Sequence, residues 1–424
     1  MIRSFVGVIR AGYSNMRSFL ITCVLVVLPM RSFPAQRLNS WVGAWACSQQ
    51  IPEPQNSLAL DDLRNATLRQ VLHLSIGGGS LRVHISNAFG ATPLHLSAVH
   101  IARSTNISSA SIDTASDKPL LFHGEFDVTV PAGAEFVSDP LDYPVKFGSD
   151  VAISIHFDNP PDGETGHPGS RATSYLAHGG LVSAADLPDA KKFDHWYQLS
   201  GIDVTATPKA ASIVVLGDSI TDGHGATTNG NDRWTDVLAR RLQGNAKLRN
   251  FSVLNEGIGG NHLLTDGLGP NALARFDRDV LAQAGVRYLI VLEGVNDLGG
   301  LARTKEVTAE EHAVFVQRVL AAYEQIIARA HAHGLHVIGA TILPYVGSNY
   351  YHPGPLSERD RQTVNAWIRT HFDGVIDFDE ITRDPANPDH LLPGFDSGDH
   401  LHPSPAGYAA MANGFSLSIF KRAK

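Results

Sequence analysis

Cysteine is nearly absent from this 424-residue chain, which has only Cys23 and Cys47. A disulfide scaffold and a cysteine-based metal site are thereby excluded. Cys23 lies in an apolar N-terminal run, and Cys47, within "WVGAWACSQ", reads as a small buried hydrophobe rather than a nucleophile. Positive charge is also in short supply. Lys and Arg total 34 against 42 Asp and Glu, a formal net charge of −8, and no basic run stands out. Nucleic acid is therefore not an expected partner. Long hydrophobic runs are missing too, apart from Phe19 to Leu28 within "MRSFLITCVLVVLPMRSFPAQ". That run is too short to span a bilayer and has the basic start and small residues of a signal-peptide core. The expectation is a signal peptide over residues 1–36, for which Met16 can serve as the start. A secreted or periplasmic protein with no membrane span after processing follows. Cleavage after Ala35 would place Phe33 at −3, a poor fit, so an uncleaved anchor is the alternative reading. With Cys23 lost alongside such a peptide, Cys47 has no disulfide partner.

What is present is a folded composition, 43% hydrophobic and 18% charged, in a chain too long for one ordinary core. Residues 40–207 carry strand-like alternation. "VLHLSIGGGSLRVHISNAF" alternates Leu72, Leu74, Ile76 and then Leu81, Val83, Ile85 around Gly77 to Ser80, which predicts a β-hairpin. Val151, Ile153, Ile155 and Phe157 repeat the habit. Short strands separated by Gly, Pro and Asn clusters predict an all-β sandwich or jelly-roll-like domain. Residues 208–424 change character. "ASIVVLGDS" and "VRYLIVLEGVND" are continuous apolar runs, as in strands buried on both faces. Between and after them come helical segments, including one started by Thr308 and Glu311 as a capping box and ended at Gly334. Strands alternating with helices predict an α/β domain with a three-layer, flavodoxin-like parallel sheet. Its chemistry is expected at the carboxyl ends of the strands.

Four strand ends hold candidates. "LGDSITDG" offers the Ser219 hydroxyl, although a Gly-Asp-Ser turn alone is common. "NEGIGGN" offers glycine amides but does not fit a phosphate-cradling G-x-G-x-x-G pattern. "EGVND" offers Asn296, which could equally cap a turn. "DSGDHLHPSPAGY" crowds Asp396, Asp399, His400 and His402 before a helix whose N-cap and first residue read as Ser404 and Pro405. Serine-based ester hydrolysis needs a hydroxyl, a base, an orienting carboxylate and oxyanion donors. The four ends supply one of each kind in order.

These blocks, "GDS" at Gly217 to Ser219, "NEGIGG" at Asn255 to Gly260, "GVND" at Gly294 to Asp297 and "DHLHP" at Asp399 to Pro403, resemble the SGNH (GDSL-type) hydrolases. The resemblance covers roughly residues 210–422. It implies Ser219 as nucleophile, His402 as general base, Asp399 as its orienter, and an oxyanion hole from the Ser219 amide, the Gly260 amide and the Asn296 side chain. Gly260 is preferred to Gly259 because it lies five residues after Asn255, as in the family's block. "TTNGNDRW" and "LEGVND" further resemble a branch of arylesterases and xylan-linked acetylesterases that carries an N-terminal β-domain. No cofactor and no metal are implied. The implied substrate is a small ester or acetylated carbohydrate, and the β-domain either binds carbohydrate or shapes the cleft. Shaping is favoured, since no surface row of Trp or Tyr can be read.

Three other readings compete. A metal-dependent hydrolase would use Asp396, Asp399, His400 and His402, but histidines at i and i+2 point apart in an extended segment. A non-catalytic carbohydrate-binding surface protein would leave four intact blocks without a use. A lipase or arylesterase for longer or aromatic esters is the nearest rival. The loop "YVGSNYYHPGPLSERD" could overhang the site, its tyrosines and His352 either stacking on a sugar or simply packing. An imidazole base ordinarily titrates near ~6.5, so activity is expected to fall below neutral pH.

Overall fold

Alternating hydrophobicity in the first half becomes two large antiparallel sheets, accompanied by two two-stranded ones, because a period of two buries one face of each strand. The computed structural model describes residues 40–420, so the signal peptide expected over 1–36 lies outside the described residues. One sheet orders Ser40–Ala46, Leu199–Ala206, Gly78–Ser86 and Glu135–Val137, with Leu141–Val145 also paired to Gly78–Ser86. The other runs Lys191–Phe193, Ser174–His178, Ala66–His73, Asp150–Phe157, Ala98–Ser104, Ile112–Pro119. Val42, Leu81, Val83 and Ile202 from the first sheet meet Leu68, Leu72, Ile101 and Ile153 from the second in one shared core. The sheets therefore face each other as a sandwich.

The hairpin expected around Gly77 to Ser80 does not form. Ala66–His73 pairs with Asp150–Phe157 and Ser174–His178, whereas Gly78–Ser86 pairs with Leu199–Ala206 in the opposite sheet. Between them the chain crosses the sandwich. Leu74 N–H donates to the Ser149 carbonyl at 3.0 Å, and Ser75 N–H donates to the Ala44 carbonyl at 2.8 Å. Leu72, Leu74, Ile76, Leu81, Val83 and Ile85 are all buried, an outcome that a hairpin and a crossover satisfy equally well. Alternation marks the buried side of a strand and carries no information about which strand supplies its hydrogen bonds.

The second half is a five-stranded parallel sheet in the order Phe251–Gly257, Ala211–Gly217, Val286–Leu292, His336–Ala340, Gly374–Ile376. In chain order this is the 2-1-3-4-5 arrangement of flavodoxin-like sheets. Every residue of Ala211–Gly217 is buried, which requires cover on both faces. Helices Trp234–Gln243, Ala309–Ala332 and Pro355–His371 supply it, bringing Leu238, Val319, Ile326, Val364 and Ile368 into the same core. The capping box at the start of Ala309–Ala332 is made on both sides, Thr308 with Glu311.

The two halves pack as one compact unit. The β half lies against Phe251–Gly257, the edge strand of the parallel sheet. Val253 N–H donates to Ser75 Oγ at 3.2 Å, and Gly43 N–H donates to the Ala284 carbonyl at 3.0 Å. A Cβ on Gly43 would come within 2.6 Å of Leu254 Cδ1, so the two halves approach closely here and a side chain at Gly43 would require Leu254 to repack. An open strand edge is thus covered from within the chain. Among the described residues no helix is long and apolar enough to cross a membrane.

Candidate active site

The strand Ala211–Gly217 ends in a turn that only glycine fits. A Cβ on Gly217 would lie 2.2 Å from Thr221 Oγ1 and 2.9 Å from the Leu292 carbonyl. The chain then enters the short helix Ser219–Asp222, with Ser219 its first residue and Asp218 its N-cap, accepting from Ile220 N–H at 2.9 Å. Burial pushes the Asp218 carboxyl up to about 7, against that same hydrogen bond, which favours the charged form. The cap is thus held tightly below the serine.

Ser219 Oγ is 2.8 Å from His402 Nε2, and His402 Nδ1 is 2.6 Å from Asp399 Oδ2. Asp399 Oδ1 accepts from the backbone N–H groups of His402 and Leu401, at 2.8 and 3.0 Å. Partial burial raises the Asp399 carboxyl, but the His402 side chain and these amides outweigh it and hold the group well below the usual carboxylate range. The neighbouring candidates pair with each other instead. His400 Nδ1 is 2.6 Å from Asp396 Oδ2, so the crowded segment divides into two Asp–His pairs, one facing Ser219. Ser404 and Pro405 begin the closing helix Pro405–Asn413, the Ser404 hydroxyl accepting from Gly407 N–H.

Asn296 sits in the helix Val295–Leu301 and lines the same cleft as Ser219, Gly259, Gly260 and His402. Its Nδ2 donates to the Asn261 carbonyl at 2.6 Å, and its Oδ1 accepts from the Tyr351 hydroxyl at 2.5 Å. Gly260 has φ of 67°, the left-handed region that favours glycine. Asp297 accepts from Leu263 and Leu264 N–H at 2.8 and 3.1 Å and ties down the loop that follows Gly260.

Below these loops lies Arg275, whose side chain is fully buried. One guanidinium donates to the carbonyls of Gly217 and Glu256, to Asn261 Oδ1, to Ser48 Oγ and to the carboxylates of Asp279 and Glu293. It thereby holds the ends of the first two strands, the glycine loop and the β half in one register. Burial drives Glu256 and Glu293 well above the usual carboxylate range, whereas Asp279, though equally buried, is held low by Arg278 and Arg275.

The β half reaches the site itself. His167 Nε2 is 2.9 Å from Asp222 Oδ1, the last residue of the serine-bearing helix, and His167 Nδ1 is 2.8 Å from the Ser48 carbonyl. Arg233 donates to the Asp222 and Ser170 carbonyls. Arg171 reaches His224 Nδ1 at 3.3 Å, and the His224 ring lies 4.0 Å from that of His402. Burial, then the neighbouring His402 ring and the Arg171 guanidinium, push His224 down to about 4, so it is a neutral imidazole at working pH. Gln50, Glu53, Asn56 and Arg171 form one wall of a cleft of about 840 Å³, with Arg303, Asn349 and Tyr350 on the side of the parallel-sheet half.

Several of these groups carry no sequence signal. His167, in the short strand Gly166–His167, and Arg171, in the loop after it, belong to no motif, and Arg275 in "NALARFDRD" looks like any surface helix residue. The loop tyrosines separate in the structure: Tyr345 and Tyr351 are buried, while Tyr350 is half exposed on the cleft with Arg303 over its ring at 3.8 Å. His224, Asp399 and His402 offer ligand atoms within 4.8 Å of one another, but both His402 nitrogens are already engaged, by Ser219 and by Asp399.

Residues 215–410 match the model of the GDSL-like lipase/acylhydrolase family. A search of curated protein sequences gives no match. Among solved structures the chain is similar to an acetylxylan esterase from Geobacillus stearothermophilus, at 21% identity over 50% of this chain and 95% of that one, with a TM-score of 0.36. It is also similar to a GDSL-like lipase from Bacteroides thetaiotaomicron, at 18% identity over 49% and 86%, TM-score 0.34. A third is an α/β hydrolase from the metagenome of Lake Arreo, at 21% over 50% and 96%, TM-score 0.34.

Proposed function

We propose that the protein, whose residues 215–410 match the GDSL-like lipase/acylhydrolase family, is a carboxylic ester hydrolase that works as a serine esterase on short-chain esters, with O-acetyl groups on carbohydrate as the substrate class. The observation that carries the catalytic part is the unbroken line Ser219 Oγ, His402, Asp399 on the floor of the cleft.

In the proposed reaction Ser219 Oγ attacks the acyl carbonyl while His402 Nε2 takes its proton. Asp399, ionised and bonded to Nδ1, holds the tautomer that leaves Nε2 free to accept, and it stabilises the imidazolium that results. The oxyanion rests on the Ser219 and Gly260 amides and Asn296 Nδ2, donors fixed before the charge develops. His402 returns the proton to the leaving alcohol, and a water activated by the same imidazole then releases the acid. The carbohydrate reading is supported by the cleft wall, where Gln50, Glu53, Asn56, Arg171 and Asn349 offer donors and acceptors suited to hydroxyl groups. The short acyl group rests on the sequence resemblance alone. Exposed Leu268 and Tyr350 on the same cleft favour a second reading, a longer or aromatic ester.

Ser219→Ala is expected to abolish hydrolysis of p-nitrophenyl acetate, with a loss of at least ~10³-fold in kcat and an unchanged melting temperature. Retained turnover would reject the serine mechanism. A parallel profile of acetyl, butyryl and octanoyl esters with acetylated xylan separates the two substrate readings. Acetyl release from the polymer supports the first, and a rise in kcat/KM towards octanoyl supports the second.

A further inference from the structure

The Asn296 carboxamide has two ends, and only one of them can serve an oxyanion. Its Nδ2 carries two hydrogens, one given to the Asn261 carbonyl at 2.6 Å, which leaves the other for the cleft. Among the described residues its Oδ1 has a single donor, the Tyr351 hydroxyl at 2.5 Å. Tyr351 comes from a distant loop and is 6% exposed, its hydroxyl pushed above the usual tyrosine range by burial, so it remains a donor at any working pH.

The ring that carries this hydroxyl is seated with equal care. Gly299 lies one helical turn beyond Asn296, on the same face of Val295–Leu301. A Cβ at Gly299 would come within 2.5 Å of Tyr351 Cγ, so the aromatic ring lies directly on the helix backbone where a side chain is missing. Tyr350 packs edge-on against the ring at 4.7 Å, and the Ser348 hydroxyl accepts from Tyr350 and Tyr351 N–H at 3.3 and 3.4 Å. The whole device puts one O–H against one carbonyl oxygen.

We propose that Tyr351 is a positioning residue, whose hydroxyl holds the Asn296 carboxamide so that its free N–H points at the oxyanion. The inference rests on the reading of Asn296 as an oxyanion donor. Two physical effects follow from the bond. Asn261 and Tyr351 together forbid rotation of the amide, because a flip would set Oδ1 against the Asn261 carbonyl. Donation to Oδ1 also polarises the amide and strengthens its N–H groups as donors. Without the hydroxyl, Oδ1 is a buried acceptor lacking its partner and the plane is free to tilt, which degrades a donor that must be in place before charge develops.

Tyr351→Phe keeps the ring and removes only the bond. On p-nitrophenyl acetate it is expected to lower kcat roughly tenfold with KM within about twofold, because the lost interaction is made in the transition state. Asn296→Ala should cost ~10²-fold, and Tyr351→Phe should add nothing in that background. Gly299→Ala pushes the same ring away from the other side and should reproduce the kcat loss. The proposal is overturned if Tyr351→Phe matches the parent in kcat while Asn296→Ala falls, or if the double variant loses the product of the two factors. A lower melting temperature with unchanged kcat would make Tyr351 a packing residue and also overturn it. Full activity in Asn296→Ala would remove the oxyanion role and this inference with it, while Ser219→Ala reports on the nucleophile separately.

Discussion

Asp396 and Asp399 stand three positions apart, each accepts backbone N–H groups of its own loop, and each holds a histidine, yet only one histidine meets a serine. The sequence supports Asp399 with His402 through a block of fixed spacing, and in the structure His402 Nδ1 lies 2.6 Å from Asp399 Oδ2. Nothing in the sequence indicates that Tyr351 would end on Asn296, or that the His224 ring would lie tilted against that of His402, because those contacts join segments with no shared motif. Single residues also tune stability. His84 is hydrogen-bonded to both Glu135 and Asp203, and although burial lowers its basicity these carboxylates raise it to about 9. The protonated form is therefore favoured by the fold. Its contribution is whole below the unfolded value near ~6.5 and is lost as pH rises through about 9, on the order of 3 kcal/mol. A falling melting temperature between those pH values, flattened in His84→Gln, is the expected result. A parallel fall in the variant would assign the effect elsewhere.

Elements show both what periodicity conveys and where it stops. The continuous apolar runs at Ala211–Gly217 and Val286–Leu292 predict strands covered on both faces, and they form them. The alternation on either side of Gly77 to Ser80 predicts strands too, and these also form, but in opposite sheets. Burial reports on one side chain at a time, whereas pairing depends on which backbone lies alongside. Glycines mark a similar divide. Gly257, at the end of its strand, lies against the serine-bearing helix, where a Cβ would fall 2.3 Å from Asp222 N and 2.8 Å from its Cα. Those are backbone atoms, so Gly257→Ala must move the helix itself. A displacement of about 1 Å at a nucleophile can cost ~10² in rate. Gly257→Ala is accordingly expected to lose about that factor in kcat while remaining folded, as checked by its melting curve. Full activity would show that the helix yields without moving Ser219.

At the scale of the whole molecule the β half is built into the candidate active site. Ser48 donates to Glu256 and accepts from Arg275, His167 holds Asp222, and Ser75 covers the edge strand. Removing residues 40–207 would leave these polar groups without partners and expose a strand edge, both costly. A single calorimetric transition is expected for the full chain, and residues 208–424 expressed alone are expected to be insoluble or inactive. Two separate transitions, or a soluble fragment with full esterase activity, would show instead that the joint is dispensable. The sequence by itself determined the order of the candidate groups: a serine, a glycine loop and an asparagine after successive strands, and an Asp–His pair that the structure places not at a strand end but in the loop before the closing helix Pro405–Asn413, because local turn geometry and spacing are written in neighbouring residues. Only the tertiary structure decided which sheet each β strand joins, that Arg275 binds the strand ends together, and that the β half walls the cleft. Those contacts join residues far apart in the chain, and no local pattern records which distant group will satisfy a buried donor.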